Sequence, residues 1–251
     1  MRILLTNDDG IRAPGLCALY PLLCEVGEVV VVAPDACRSG TSHSITYIEP
    51  LTVQTVAIDE LFTGYAVLGS PADCVKLACH TLLDTPIDLV VSGINAGANV
   101  GINVHYSGTV AAAIEGAFLG IPAVALSTAY AEEIDFHEAA SLAITTLKQL
   151  MPVVSGDVLN INVPQLIGRP VQGVRVVPQS THGFDEYYIA QKSTDQSSTY
   201  QLSAGQHRPD PLPTDAMLLT EGYITVTPLC ADLTDHARLS VIKTRLSDSR
   251  A

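Results

Sequence analysis

Three runs in the first half of the chain are apolar from end to end and too short to be helices: Ile3-Leu4-Leu5, Val29 to Val32 and Leu89-Val90-Val91. A strand with one wet face alternates polar and apolar residues, whereas a strand buried on both faces does not. Between and after these runs lie segments of helical period, Pro14 to Val26, Ala72 to Leu83, Thr109 to Leu119 and Glu133 to Leu150, with a further buried strand at Ala123 to Leu126. Fully apolar strands separated by helices predict an α/β fold whose mainly parallel sheet is covered on both faces. Pro71 suits a first helical position, while Pro21 should kink the first helix or move its start. Residues 44–56 alternate in the manner of a strand. Beyond Met151-Pro152 the pattern changes. Strand-like pieces recur at 158–163, 173–177 and 222–227, but 180–215 is polar and irregular and carries Tyr187, Tyr188, Tyr200 and prolines 209, 211 and 213. The chain therefore reads as one α/β core with a protruding C-terminal portion.

Composition narrows the functions open to such a core. Apolar residues make up 47% and charged residues 16%, against roughly 25% charged in an average domain, which excludes disorder. With 26 acidic and 13 basic side chains the net charge is −13, a field that repels nucleic-acid polymers and anionic membranes. A small phosphate ester remains open if a local positive charge, such as a metal, receives it. Residues 89–114 carry no charge and are long enough to span a bilayer. They also hold Asn95, Asn99, Asn103, His105 and four glycines, whose polar groups would go unpaired in lipid, so the stretch reads as a binding loop. The N-terminal apolar run is far shorter than the roughly 7–15 residues of a signal peptide. The six cysteines form no C-x-x-C pair and no zinc-like spacing. Reduced thiols and a cytoplasmic location are expected.

Open parallel sheets bind ligands outside the carboxyl ends of their strands. Four segments fall there: Thr6 to Gly10, Pro34 to Ser42, Ser92 to Asn99, and Tyr106 to Thr109. All four can converge on one crevice. Asp8 and Asp9 are adjacent carboxylates at a strand end, where like charges oppose ionisation unless a cation neutralises them. Oxygen donors suit Mg²⁺ or Mn²⁺ better than zinc. The plainer reading is a turn, with Asp8 as its cap. Ser107-Gly108-Thr109 opens a helix and could cradle an anion with amides, hydroxyls and the helix dipole, or serve as an ordinary N-cap. Between Arg38 and Lys148 the only lysine or arginine is Lys76, so a phosphate here must lean on metal, amides and hydroxyls. No G-x-x-x-x-G-K-[ST] loop, no G-x-G-x-x-G after the first strand and no G-x-S-x-G elbow is present. His43 and His105 lie near the crevice as possible proton donors.

In order along the chain these segments resemble the SurE family, stationary-phase survival proteins that act as metal-dependent 5′-nucleotidases. The matching blocks are Asn7-Asp8-Asp9-Gly10 with Ala13-Pro14-Gly15, Ala33-Pro34-Asp35 through Arg38-Ser39-Gly40, and Gly69-Ser70-Pro71-Ala72-Asp73-Cys74-Val75. Ser92 to Gly97 with Asn99, Tyr106 to Ala112, Glu115-Gly116, Asn160 to Pro164, Thr214-Asp215 and Gly222 to Leu229 follow. Departures are Ser70 where Thr is common, His43 where another polar residue often sits, and a divergent 183–213. The resemblance implies a Rossmann-like three-layer α/β/α core of about 1–178 and 216–251 in a single domain. It also implies an extended β arm of about 179–215, exchanged between subunits of a homodimer or tetramer. Asp8, Asp9, Ser39 and Asn95 are the positions that match its binding set for one divalent cation. The expected reaction is hydrolysis of nucleoside 5′-monophosphates, with Asp8 anchoring the metal and Asp9 also accepting a proton from water. Asn99, Ser107 and Thr109 are expected to stabilise the transferred group, in a phosphate site completed by Asn95 and Gly108. A broader acid phosphatase or exopolyphosphatase, and a non-catalytic nucleotide sensor, are the alternatives.

Overall fold

The computed structural model describes residues 1–248 apart from 167, 169, 184, 195, 204 and 206. Among the described residues nine strands form one sheet in the order β3-β4-β2-β1-β5-β6-β7-β11-β8. The strands are β1 (Arg2–Thr6), β2 (Glu28–Pro34), β3 (Val53–Ile58), β4 (Phe62–Val67), β5 (Leu89–Ala96), β6 (Ala123–Thr128), β7 (Val158–Val163), β8 (Val174–Val176) and β11 (Ile224–Leu229). The six from β4 to β7 are all parallel. β3 and β11 run antiparallel on either side of them, and β8 extends the sheet parallel to β11. Counted in chain order, the parallel strands stand 3-2-1-4-5-6, a doubly wound arrangement whose order reverses between β1 and β5.

Burial on both faces explains the uninterrupted apolar runs. Ile3, Leu5 and Val31 face one core, with Leu16 and Leu19 of helix α1 (Pro14–Cys24) and Ala143 and Leu147 of helix α4 (Phe136–Leu150). Leu4, Val32 and Val90 face the other, with Val75 of helix α2 (Pro71–Leu77) and Ala112 and Ala113 of helix α3 (Gly108–Phe118). Sheet and two helical layers make the α/β/α sandwich. No helix among the described residues is long and apolar enough to cross a membrane.

Several local expectations needed adjustment. Pro21 lies inside α1 without moving its start, which falls at Pro14. The helix expected from Ala72 to Leu83 is α-helical only to Leu77 and continues as a π turn from Ala78 to Leu82. Asp135 caps α4 by accepting from the Glu138 amide, which delays that helix to Phe136. Of residues 44–56, only those from Val53 onward join the sheet. Thr46 is drawn to Asp73 instead, and the Ser70 hydroxyl donates to the Ser44 carbonyl. Within 180–215 lies an antiparallel pair, β9 (Tyr188–Ser193) and β10 (Ser198–Leu202), forming a sheet of its own with every residue exposed. Helix α5 (Asp215–Thr220) returns the chain to the core, and helix α6 (His236–Asp248) follows β11.

α1 packs on β5 through Gly15, where an added Cβ would stand 2.1 Å from the Ile94 carbonyl oxygen. That oxygen is backbone and cannot swing aside, and the Ile94 and Phe136 side chains close in behind it. Gly15→Ala should therefore destabilise the fold by about 1–3 kcal/mol, the usual range for overpacking. Denaturant unfolding with an unchanged midpoint would contradict that contact.

Candidate active site

The reversal of strand order between β1 and β5 opens a crevice at their carboxyl ends, and the four loop segments meet there. The Asn7 side chain closes the first loop on itself, accepting from the Gly10 amide and donating to the Gly10 carbonyl. The second loop is stitched to the first by the Arg38 amide, which donates to the Asp8 carbonyl at 2.7 Å. It also reaches the fourth, because the Ser42 hydroxyl donates to the His105 carbonyl and the Ser42 amide to that of Tyr106. The third approaches through the Ala96 amide, 3.3 Å from Asp9 Oδ2. The fourth arrives as the N-terminus of α3, where the Thr109 hydroxyl donates to Asp8 Oδ1. Gly108 permits that approach, since a Cβ there would lie 2.8 Å from Asp8 Cβ.

Asp8 is 3% exposed. Burial pushes its carboxyl above the ordinary carboxylate range, the Thr109 hydrogen bond opposes this, and the charge of Asp9 adds to it. Among the described residues neither carboxylate has a lysine, arginine or histidine partner. Arg38 is turned to Asp35, and Lys76 to Glu115. A buried carboxylate beside a second one and without a cation is an incomplete electrostatic arrangement. The remaining donors nearby are oxygens. Asn95 commits its amide nitrogen to the Gly97 carbonyl at 2.7 Å, which leaves its side-chain oxygen to accept. Ser39 is exposed on the second loop, its hydroxyl 3.0 Å from the Cys37 thiol. Among the described residues no three His, Cys, Asp or Glu side chains cluster as a metal site. Two carboxylates with neutral oxygens are a donor set for a hard divalent ion.

The model of the family described as Survival protein SurE matches residues 3–186. The chain belongs to the SurE family. It is 46% identical over 249 residues to a protein of Rhodopirellula baltica named 5′-nucleotidase SurE, covering 97% of this chain and 98% of that one. A Desulfitobacterium hafniense protein of the same name is 43% identical, with 98% of each covered. The crystal structure of the SurE protein from Aquifex aeolicus superposes with a TM-score of 0.83 at 37% identity, covering 97% of this chain and 99% of that one.

In this SurE chain the residues singled out from sequence fall into distinct positions. Asp8, Asp9, Gly108 and Thr109 are in direct contact or close approach. Ser107 is the N-cap of α3, accepting from the Val110 amide at 3.1 Å, so its own proton is free to be given elsewhere. Thr109 is fully buried and gives its proton to Asp8. Asn99 is 6% exposed. Its amide nitrogen donates to Ser127 at 2.8 Å and its backbone is held by Asn160 and Asn162. Sequence reasoning assigned no role to this polar floor. The Asn160-Ile161-Asn162 alternation inside an otherwise apolar strand was the available signal.

If burial of an uncompensated charge is what loads Asp8, then Asp8→Asn should raise the unfolding temperature of chelator-treated protein, because the neutral amide keeps the Thr109 acceptor. Each kcal/mol relieved is worth about 2–4 °C in a chain of this size. Thermal unfolding at a lower temperature than wild type would show that Asp8 carries no such burden.

Proposed function

We propose that the chain hydrolyses nucleoside 5′-monophosphates to nucleoside and phosphate with one divalent cation, Mg²⁺ or Mn²⁺, held by Asp8, Asp9, Ser39 and Asn95. Membership of the SurE family and the shared name of its relatives support 5′-nucleotidase activity. The observation that carries the metal is the buried Asp8 carboxylate, pressed against Asp9 and the N-terminus of α3 with no cationic side chain to balance it. A bound divalent ion would neutralise the pair and polarise a phosphoryl oxygen.

The chain's own groups divide the remaining work. Ser107, with its proton uncommitted, and the Gly108 amide receive the phosphoryl oxygens, where the helix dipole favours negative charge; the Thr109 amide is engaged by Asp8 and the Val110 amide by Ser107. Asp9 is half-buried and takes only a long contact from Ala96, which leaves it able to accept the proton of the attacking water. Thr109 acts through Asp8 and is a positioning residue. Asn99 fixes the loop between β5 and the 3₁₀ turn Gly101–His105 on the polar floor of β6 and β7, and so sets the approach of Asn95. Chelation should abolish phosphate release and Mg²⁺ or Mn²⁺ restore it. Ser107→Ala should lower kcat by about 10²–10³, the cost of losing one donor to a developing oxyanion. Full turnover in excess chelator, or wild-type kcat in the variant, would contradict the assignment.

We further propose a single domain that works in the cytoplasm as a homodimer or tetramer through the arm at about 179–215. Tyr187 just before β9, and Tyr188, Tyr200 and Leu202 along β9 and β10, are exposed, and aromatic side chains of this kind are enriched at interfaces. Exchange of identical elements is a low-cost route to dimers. Light scattering should give at least a dimer, whereas a monomer at every concentration would refute the exchanged arm.

A further inference from the structure

A cavity of about 840 Å³ runs from Ser107 along α3, walled by Val104, Ile114, Phe118 and Leu229 and bordered by His43. It shares Ser107 with the phosphate end of the active site, and its size is that of a small-molecule site. Among the described residues no Asp, Glu, Lys or Arg lines it, and its ionisable border is His43, His105 and Cys230, a lining that suits an uncharged group. That fits the base and sugar of a nucleotide and not a further phosphate.

His43 is unusually well fixed for a loop residue. Its Nε2 stands 2.9 Å from Glu115 Oε2, while Lys76 Nζ donates to Glu115 Oε1 at 2.6 Å. Burial works against the Glu115 charge, but hydrogen bonds from His43 and Lys76 outweigh it and hold that carboxyl below its ordinary range. The imidazole lies nearly parallel to Phe118, with ring centroids 5.6 Å apart and planes inclined by 20°. Phe118 supports one face of the imidazole, and both rings border the cavity. From Ser107 to Glu115 is eight residues, about 12 Å of helix. The Glu115 clamp draws the His43 imidazole along the flank of α3, while Ser42 beside it ties the loop to the residues just before Ser107. The imidazole is well placed for a group one sugar away from the phosphate.

We propose that this cavity seats the nucleoside half of the substrate, with the His43 imidazole, stacked on Phe118 and clamped by Glu115, as the platform for the base. The proposal rests on the hydrolase reading above and adds to it the residues that make a nucleotide preferable to a bare sugar phosphate. Stacking on rings tolerates any base, because every base has a π face.

The test compares adenosine 5′-monophosphate with ribose 5-phosphate, which keeps sugar and phosphate and lacks the base, on metal-loaded enzyme. In His43→Ala the ratio of kcat/KM for the two should fall about tenfold, the scale of one lost stacking partner, with the change in KM rather than kcat. Phe118→Ala, at a residue 59% exposed whose loss spares the core, should lower the same ratio. Calorimetric titration with adenosine should show binding to wild type that both variants weaken. An unchanged ratio in both variants, or no adenosine binding to wild type, overturns the platform. Failure of wild type to release phosphate from either ester would instead overturn the hydrolase reading, and the adenosine titration would still decide whether the cavity takes a nucleoside.

Discussion

The contact on which the site depends is the end-on approach of α3 to Asp8. A helix N-terminus offers unpaired amides and a positive dipole end, and a carboxylate is its natural neighbour. Here the carboxylate is buried, so the contact also removes it from water. Gly108 lets the helix come close enough, and Thr109 ties the two together across 101 residues of sequence. The opposing effects do not cancel, since the Thr109 bond and the helix end are outweighed by burial and by Asp9. What remains is a carboxylate pair without a cationic side chain among the described residues, beside a Ser107 hydroxyl that accepts from Val110 and keeps its own proton. A divalent cation would answer the first and a phosphoryl oxygen the second.

The rest of the sandwich places this contact. Parallel pairing sends every central strand out toward the same edge, and the reversal of order between β1 and β5 keeps helices from closing over it. α1 and α4 cover one face, α2 and α3 the other, so the loops after β1, β2 and β5 are free to carry polar residues. The floor of Asn160, Asn162 and Ser127 then fixes the third loop by hydrogen bonds to the backbone and side chain of Asn99. Buried polar networks of this kind hold one geometry when satisfied; here the buried Asn160 side-chain oxygen finds no partner among the described residues.

Much of this was legible in the sequence because burial leaves a mark on pattern. Strands covered on both faces lose alternation, and Ile3 to Leu5 and Leu89 to Val91 could be read directly. β9 and β10 could not, since a hairpin exposed on both sides has no buried face to impose a period. The first part of 44–56 alternates like a strand, yet Thr46 is captured by Asp73 at the cap of α2, a competition between side-chain and sheet bonding that local sequence does not resolve. At the site, residue types announced oxygen chemistry, but division of labour did not show. Ser107 and Thr109 look equivalent two positions apart. Only the fold reveals that one accepts from Val110 and keeps its own proton while the other spends it on Asp8. Glu115, which binds both His43 and Lys76, was likewise silent until α2, α3 and the second loop were brought together.

The central claim is that the Asp8-Asp9 pair is a site for one divalent cation. Its most direct test is calorimetric titration of chelator-stripped protein with Mn²⁺, on wild type and on Asp8→Asn. The account predicts one ion per chain in wild type and loss of that binding in the variant. Equal stoichiometry and affinity in both proteins, or no binding to wild type, would contradict it.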